Sequence, residues 1–388
     1  MGRKTTDVEM RSATIHDVAR HAGVSSMTVS RVINRTANVR EPLRERVMAS
    51  IKALDYTMNM AAHSTRSGGG TVRVGVLYSN PSAAYLNEVM LGGLEQSSRL
   101  GVTLLLETCQ GLSSQRRAVR RLLDQGVDGV ILPPPLCDTA TAIDMLRQAQ
   151  IPVLALASAQ PLASVSAVRI DDFRGAQMMT RHLIRLGHRR IGFIKGHPDH
   201  TPSGQRFAGF LRTMEDAGLK VDADLVQPGL FTFESGLAAG EALLKRTDPP
   251  SAIFASNDDM AAAVVALAHG LQIRIPEEIS IAGFDDTPLA STMWPQITTI
   301  HQPIVAMGRA AVTTIFEKVR DIRAGRPPQP RHLTMKCSLV ERASTGPAPK
   351  PLSGIAPEPS IPILHPRHHG VASATQGQDN RIDHADNS

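Results

Sequence analysis

Residues 14–34, TIHDVARHAGVSSMTVSRVIN, carry the reading that decides the fold. Ala19 is small where two crossing helices would touch. Gly23 stands where the turn between them needs a positive φ that glycine adopts cheaply. Val18, Ala22, Val24, Val29 and Val32 supply apolar faces that lock the second helix onto the first. Thr14 suits the N-cap of the first helix with Asp17 reaching back, and Ser25 the N-cap of the second. The outward face then offers Ser26, Met27, Thr28, Ser30, Arg31 and Asn34. Short polar groups and an arginine are the chemistry that reads base edges and phosphates in a major groove. The competing reading is an ordinary αα-hairpin with a polar solvent face, because such patterns match loosely.

The rest of the chain decides between them. DVARHAGVSSMTVSRVIN followed by ERVMASIKALDY resembles the DNA-binding headpiece of the LacI/GalR family of bacterial transcriptional regulators. Further on, HLIRLGHRRIGFI, QRFAGF, SNDDMA and IPEEISIAGFDDTPLA resemble that family's effector-binding core. The likeness runs from about residue 13 to about 342, with several independent motifs in the right order. It implies an all-α helix-turn-helix headpiece followed by an α/β core of two doubly wound parallel-sheet lobes, as in periplasmic binding proteins. The division expected is a headpiece over 13–57, a hinge helix and linker over 58–70, a two-lobed effector-binding and dimerisation core over 71–342, and a disordered tail over 343–388.

A third headpiece helix fits 41–54, where Pro42 suits the first turn and Leu43, Val47, Ile51 and Leu54 fall on one stripe. The resemblance adds Asn38, Asn59, Ala62 and Thr65 to the DNA-facing set. In the hinge the chain departs from the family pattern. Met58 replaces the usual proline, His63 a basic residue, and Thr65 the leucine that the family wedges into the minor groove. Kinking a duplex needs an apolar wedge, and threonine has less bulk and a hydroxyl.

Charge is distributed as phosphate neutralisation requires. Residues 1–66 hold 11 Lys/Arg against 6 Asp/Glu, 67–342 hold 28 against 26, and the tail from 343 holds 3 against 4. The three cysteines, Cys109, Cys137 and Cys337, are too few and too scattered for a disulfide framework or a zinc cluster, which suits a reducing cytoplasm. MGRKTTDVEMRS has no apolar signal region, and no apolar run reaches membrane-spanning length. A cytoplasmic protein with no membrane partner is the expectation.

Beyond the polar break STRSGGGT at 64–71, β-branched runs alternate with amphipathic helices. VRVGVLY (72–78), TLLLE (103–107), GVILP (129–133) and PVLAL (152–156) form one series of strands. AVRI (167–170), RIGFIK (190–195), AIFAS (252–256) and SIAGF (280–284) form a second. Helical patterns lie between them, so two parallel-sheet lobes are predicted. Near 298–301 the chain should return to the first lobe, with a helix over 304–324 and a final strand near 333–340.

Ligands bind outside the carboxyl ends of parallel strands. Asp171, Asp172, His197, Asn257, Asp258, Asp285 and Asp286 stand there. Carboxylates, amides and arginine can each bond two vicinal hydroxyls of a sugar, and a wrong epimer leaves a charge unpaired. The resemblance maps the family's sugar-contacting positions onto Arg206, Asn257 and Asp285, with Asp171 and Phe231 as two more. Phe231 either stacks on a pyranose or belongs to the core, and Asp172 and Asp258 either touch ligand or cap helices. His197 and His200 in GHPDH have no evident carboxylate or cysteine partner nearby, so no metal and no cofactor are expected. Trp294 either gates the cleft or packs.

The helix near 84–100, with Leu86, Met90 and Leu94 on one stripe, resembles the family's dimer surface, and a homodimer suits a near-palindromic operator. The tail holds seven prolines and no leucine heptads. The reading is a repressor, not an enzyme, relieved by a small sugar-like effector through linkage between cavity and operator. A regulator needing a corepressor, and a DNA-binding protein with a ligand-free core, stand as alternatives. An enzyme fits less well, since no GxGxxG follows the first strand and neither a P-loop nor a nucleophile elbow is present. With Thr65 in the hinge, this protein should bend its operator less than a leucine-wedged relative does. Gel phasing measures the angle, and a bend as strong as the relative's would refute the expectation.

Overall fold

The structure is a computed structural model that describes residues 15–34, 39–54, 71–79, 81–109 and 111–349. Thr14, Asn38, Asn59, Ala62 and Thr65, the hinge over 58–70 and the tail from 350 lie outside the described residues.

Three helices form the headpiece: α1 (Ile15–Ala22), α2 (Ser26–Asn34) and α3 (Glu41–Ala53). Val18, Val29 and Val47 are fully buried at their junction, with Ala19, Ala22 and Val32 around them. The third-helix stripe is the expected one with one change. Val47 is buried and Leu43, Ile51 and Leu54 are half-buried, but Ser50 is also buried. Ser50 accepts that position because its hydroxyl donates to the Arg46 carbonyl at 2.9 Å and meets His21 Nδ1 of α1 at 3.0 Å.

The core begins at β1 (Arg73–Tyr78) and runs α4 (Ala83–Leu100), β2 (Thr103–Thr108), α5 (Gly111–Asp124), β3 (Gly129–Leu132), α6 (Ala140–Gln148), β4 (Val153–Leu156) and β5 (Ser166–Ile170). These strands, joined by β11 (His332–Met335), make a six-stranded parallel sheet in the order β11-β5-β4-β3-β1-β2. The chain then builds a second lobe: α7 (Asp172–Arg185), β6 (Ile191–Ile194), α8 (Thr201–Asp216), β7 (Val226–Gln227), α9 (Phe233–Leu244), β8 (Ala252–Ala255), α10 (Asp258–Gly270), β9 (Ser280–Ala282) and α11 (Pro288–Thr292). Its parallel sheet has the order β7-β6-β8-β9. Strands β3, β4, β6 and β8 are buried along their whole length, as parallel strands covered by helices on both faces must be.

Two sequence expectations need correcting. AVRI belongs to the first sheet, since Leu154, Ala155 and Leu156 of β4 pair with Ser166, Ala167 and Val168 of β5. The connection over 157–165 contains no helix, so the alternation that marks successive parallel strands breaks there without a change of lobe. The final strand is two strands in different sheets. β11 closes the edge of the first sheet, whereas β12 (Ser338–Val340) pairs antiparallel with β10 (Thr299–His301) in the crossover. After β12 the chain continues onto the second lobe. Ser344 is fully buried, the Ile281 N–H donates to its carbonyl at 2.8 Å, and the Ala348 N–H donates to the Leu186 carbonyl at 2.8 Å. Residues 343–349, assigned from sequence to the tail, are therefore packed structure.

The returning helix α12 (Ile304–Arg323) packs on the first sheet and against α4. Their backbones nearly touch: a Cβ on Gly92 would lie 1.9 Å from the Val305 carbonyl oxygen, and one on Gly308 2.3 Å from that of Val89. Arg309–Glu95 at 2.7 Å and Gln96–Thr313 at 3.0 Å flank the crossing. No side-chain rotation relieves a clash with backbone. Gly92→Val should therefore cost at least about 2 kcal/mol of stability, read as a shift in the denaturation midpoint. A midpoint within error of the parent would show that the crossing tolerates separation.

Candidate functional site

Two places in the fold have the chemistry for recognition. The first is the exposed side of α2. Its approach angle is set by the turn before it, where Gly23 has φ +63°. The Val24 N–H donates to the Ala19 carbonyl at 3.0 Å and the Gly23 N–H to the Arg20 carbonyl at 3.3 Å, a Schellman stop for α1. Ser25 then caps α2, accepting from the Thr28 N–H at 3.1 Å. The Thr28 hydroxyl lies 2.9 Å from Ser25 Oγ, so it belongs to the cap as well as to the outer face. Met27 is 64% exposed, Arg31 is exposed and Ser26 is half-buried, while Ser30 and Asn34 fall within the same helix.

The second place is a cleft between the lobes with about 360 Å³ of empty space, open solvent included. Ser82, Tyr85, Pro134 and Ala157 line it from the first lobe, and His200, Pro202, Arg206, Phe231, Asn257 and Asp285 from the second. All stand beyond the carboxyl ends of strands or on the helices that follow, as the topology dictates.

Arg206, on α8, is the centre of the site. Its Nε donates to Asp172 at 2.9 Å, and its Nη1 to the Ser256 carbonyl at 2.5 Å and to Asp285 Oδ1 at 3.2 Å. The guanidinium also stacks 3.7 Å from the centroid of the Phe284 ring. Burial opposes its charge, but Asp172 and Asp285 outweigh that and hold its pKa above the ordinary value. Among the described residues Nη2 makes no hydrogen bond, which leaves two N–H donors for a ligand.

Asp285 is buried and sits at φ +117°, a backbone region unusual for a side-chain-bearing residue. Its Oδ1 accepts from Arg206 and, at 2.6 Å, from Gln302 Nε2. Oδ2 has no partner among the described residues. Burial pushes its pKa up to about 7, with the Arg206 guanidinium and the Gln302 amide pulling the other way. Phe231 forms one wall at φ +63°. Its ring lies so close over Gly196 that a Cβ there would fall 1.9 Å from Cζ. His200 stands beside it with ring centroids 5.3 Å apart, its pKa lowered to about 3 by burial and then by His197 and Arg206. His200 is thus a neutral wall.

The structure therefore brings Arg206, Phe231, Asn257 and Asp285 together and separates Asp171 from them. Asp171 is exposed and caps α7, accepting from the Arg174 N–H at 2.9 Å. Its neighbour Asp172, the first residue of α7, supplies the buried carboxylate instead. Asn257 lines the cavity with its amide already engaged. Oδ1 caps α10 by accepting from the Met260 N–H at 3.0 Å, and Nδ2 donates to the Phe231 carbonyl and to Asp259, both at 3.1 Å. It positions Phe231 rather than offering free donors. Asp258 is wholly structural, accepting from the Thr287 N–H at 2.8 Å and the Thr299 hydroxyl at 2.6 Å. Trp294 is 77% exposed and lines no part of the cavity.

Sequence reasoning missed Tyr85 and Ser82. Tyr85 is buried, and its phenolic oxygen has no hydrogen-bond partner. Burial, and then the Asp285 charge, push its pKa up, so it remains a neutral donor. The strand-end rule that singled out Asp285 points equally to the residues after β1. Among the described residues no three His, Cys, Asp or Glu side chains are grouped to hold a metal ion, and no helix is long and apolar enough to cross a membrane.

With this geometry in hand, comparisons place the chain. Residues 14–59 match the family described as bacterial regulatory proteins, lacI family, and residues 180–345 match the periplasmic binding protein-like domain. The HTH-type transcriptional repressor PurR of Photobacterium profundum is 33% identical over 80% of this chain and 92% of its own length. The HTH-type transcriptional regulator DegA of Bacillus subtilis is 34% identical over 86% of this chain and 98% of its own. Among solved structures, a transcriptional regulator CelR–cellobiose complex matches with a TM-score of 0.65 at 30% identity, over 86% of this chain and 99% of that one. A lac repressor dimer bound to operator and the anti-inducer ONPF matches with a TM-score of 0.63 at 27% identity, over 87% and 100%. The chain belongs to the LacI family of bacterial DNA-binding transcriptional regulators.

Proposed function

We propose that this protein is a homodimeric, cytoplasmic repressor that holds a near-palindromic operator and is released from it by a small sugar or sugar derivative bound between the lobes. One observation carries the ligand reading. Arg206 Nη2 and Asp285 Oδ2 are the unpartnered ends of a single buried ion pair lining the cavity. A hydroxyl both donates and accepts, so vicinal hydroxyls fit a donor set beside an acceptor, and the Phe231 ring offers the apolar face that a pyranose needs. The similarity to a regulator solved with cellobiose agrees in ligand class. The dimer reading is supported by Leu91 and Leu94, 50% and 55% exposed on α4, and by Leu106, 52% exposed on the edge strand β2.

The DNA side is tested by recovering genomic fragments bound by purified protein, which should share one near-palindromic motif. Against that motif, Arg31→Ala should weaken all variant sites about equally and lower the salt slope by about 1. Met27 substitutions should instead change which sequence is preferred. Equal effects of both changes across an operator panel would remove this division of labour.

The cavity is tested by thermal shift with monosaccharides, polyols and nucleobases, since any ligand that binds the folded state alone stabilises it. A shift with one sugar class, reduced by Asp285→Asn, is expected. With pKa about 7, Asp285 accepts ligand hydroxyls as carboxylate above neutrality and loses that capacity as pH falls. Affinity by calorimetry should thus be about tenfold weaker at pH 6 than at pH 8, and Asp285→Asn should flatten the profile. A nucleobase in place of a sugar refutes the ligand class. A ligand that tightens operator binding makes it a corepressor, and silence across the pool favours a ligand-free core.

A further inference from the structure

The two lobes are joined across the cavity mouth by two carboxylates, one from each lobe, each gripping a hydroxyl of the other. Asp138 lies in the turn after β3 of the first lobe. Its Oδ1 accepts from Ser158 Oγ of the same lobe at 2.5 Å. Its Oδ2 reaches across to Thr201, the first residue of α8, accepting from Oγ1 at 2.8 Å and from the backbone N–H at 3.3 Å. Thr201 Oγ1 accepts in turn from the Ala159 N–H of the first lobe at 2.9 Å. Asp259 supplies the reverse arrangement. It stands on α10 of the second lobe, and its Oδ2 accepts from Ser82 Oγ of the first lobe at 2.6 Å.

Both contacts run into the cavity wall. Asp259 Oδ2 also accepts from Asn257 Nδ2, whose other bond holds the Phe231 carbonyl. Ser82 caps α4 by accepting from the Tyr85 N–H at 3.3 Å. Thr201 lies between His200 and Pro202, and five residues along the same helix stands Arg206. Short bonds to a charged acceptor are the stronger kind, and a carboxylate partly withdrawn from water needs its partners. Separating the lobes would strip Asp259 of Ser82 and Asp138 of Thr201 in one movement.

We propose that Asp138 and Asp259 are reciprocal latches whose combined strength sets how often the cleft opens, and so how readily a ligand enters and leaves. The residues are positioning groups that act through lobe closure. The consequence for ligand traffic rests on the effector reading above, whereas the latching itself does not. If the two contacts share one opening motion, weakening either must loosen the other, although they lie on different connections between the lobes. Two independent turn contacts would show no such coupling.

The test is hydrogen exchange by mass spectrometry on the ligand-free full chain, comparing the parent with Ser82→Ala and Thr201→Val. Ser82→Ala removes the Asp259 latch and should speed exchange of the Ala159 and Thr201 amides, at the other latch, by about tenfold. Thr201→Val should do the same to the Tyr85 amide. Asp138→Asn repeats the second arm with an isosteric change, and an unchanged far-ultraviolet circular dichroism spectrum certifies that each variant is folded. Exchange that rises only beside the substituted residue overturns the proposal. Because no ligand is added, failure of the sugar reading leaves this result untouched, and failure here leaves the sugar reading standing.

Discussion

The structure around the cavity depends on keeping one cation, Arg206, charged out of contact with water. A buried guanidinium is tolerable only when it is paired and its N–H groups are used. Here three segments meet that demand together. Asp172 comes from the start of α7, the Ser256 carbonyl from the end of β8, Asp285 from the loop after β9, and the Phe284 ring lies flat against the guanidinium. Loss of any partner would leave charge unpaired in the interior, so the arginine fixes the relative placement of segments distant in sequence. The unusual backbone at Asp285 belongs to this arrangement. From that loop, at φ +117°, its carboxylate reaches both Arg206 and Gln302.

The same constraint explains the division of labour among the polar residues. Asp172 and Asp285 pair with the guanidinium and Asp258 and Asp259 stand on the helix after β8, yet the four do different work. Asp172 is consumed as a counter-ion, Asp258 organises the Thr287–Thr299 region, and Asp259 faces the opposite lobe. Of the four, Asp285 is the one that lines the cavity, and its Oδ2 has no partner among the described residues. On the proposed reading specificity would arise there, because a ligand lacking the matching donor would leave that oxygen unpaired.

Much of this was legible in the chain. Gly23, Ala19 and the valines of the first stretch leave little freedom, because helix crossings and positive-φ turns admit few residue types. The strand-end rule likewise located Asp285 and Arg206's neighbourhood. The sequence could not say which of two adjacent aspartates at 171 and 172 turns inward, since one residue's rotation at a helix start exchanges a solvent-facing cap for a buried counter-ion. Nor could it show that the Asn257 amide is spent on its own helix and on Phe231, because competing bonds to backbone are set by folding. The β4–β5 connection misled for a related reason: alternation records helices between strands, and this parallel pair has none. Tyr85 escaped notice because an aromatic residue on a helix reads as core until its hydroxyl proves to have no partner.

How a cavity event reaches the headpiece follows from where the chain enters the core. β1 begins at Arg73, so the chain enters the first lobe at the amino ends of its strands, while Ser82, Pro134 and Ala157 line the cavity beyond their carboxyl ends. Between these ends lies a close-packed sheet with buried strands and the backbone-to-backbone crossing of α4 and α12, which cannot deform gradually. A movement of the lobe as a body is the change that such packing permits most readily. The segments that change lobe, after β5, around β10 and between β11 and β12, are the places where such a movement can be absorbed. On the proposed reading, a ligand bridging Tyr85 and Ser82 on one side and Arg206 and Asp285 on the other would bias the angle between the lobes.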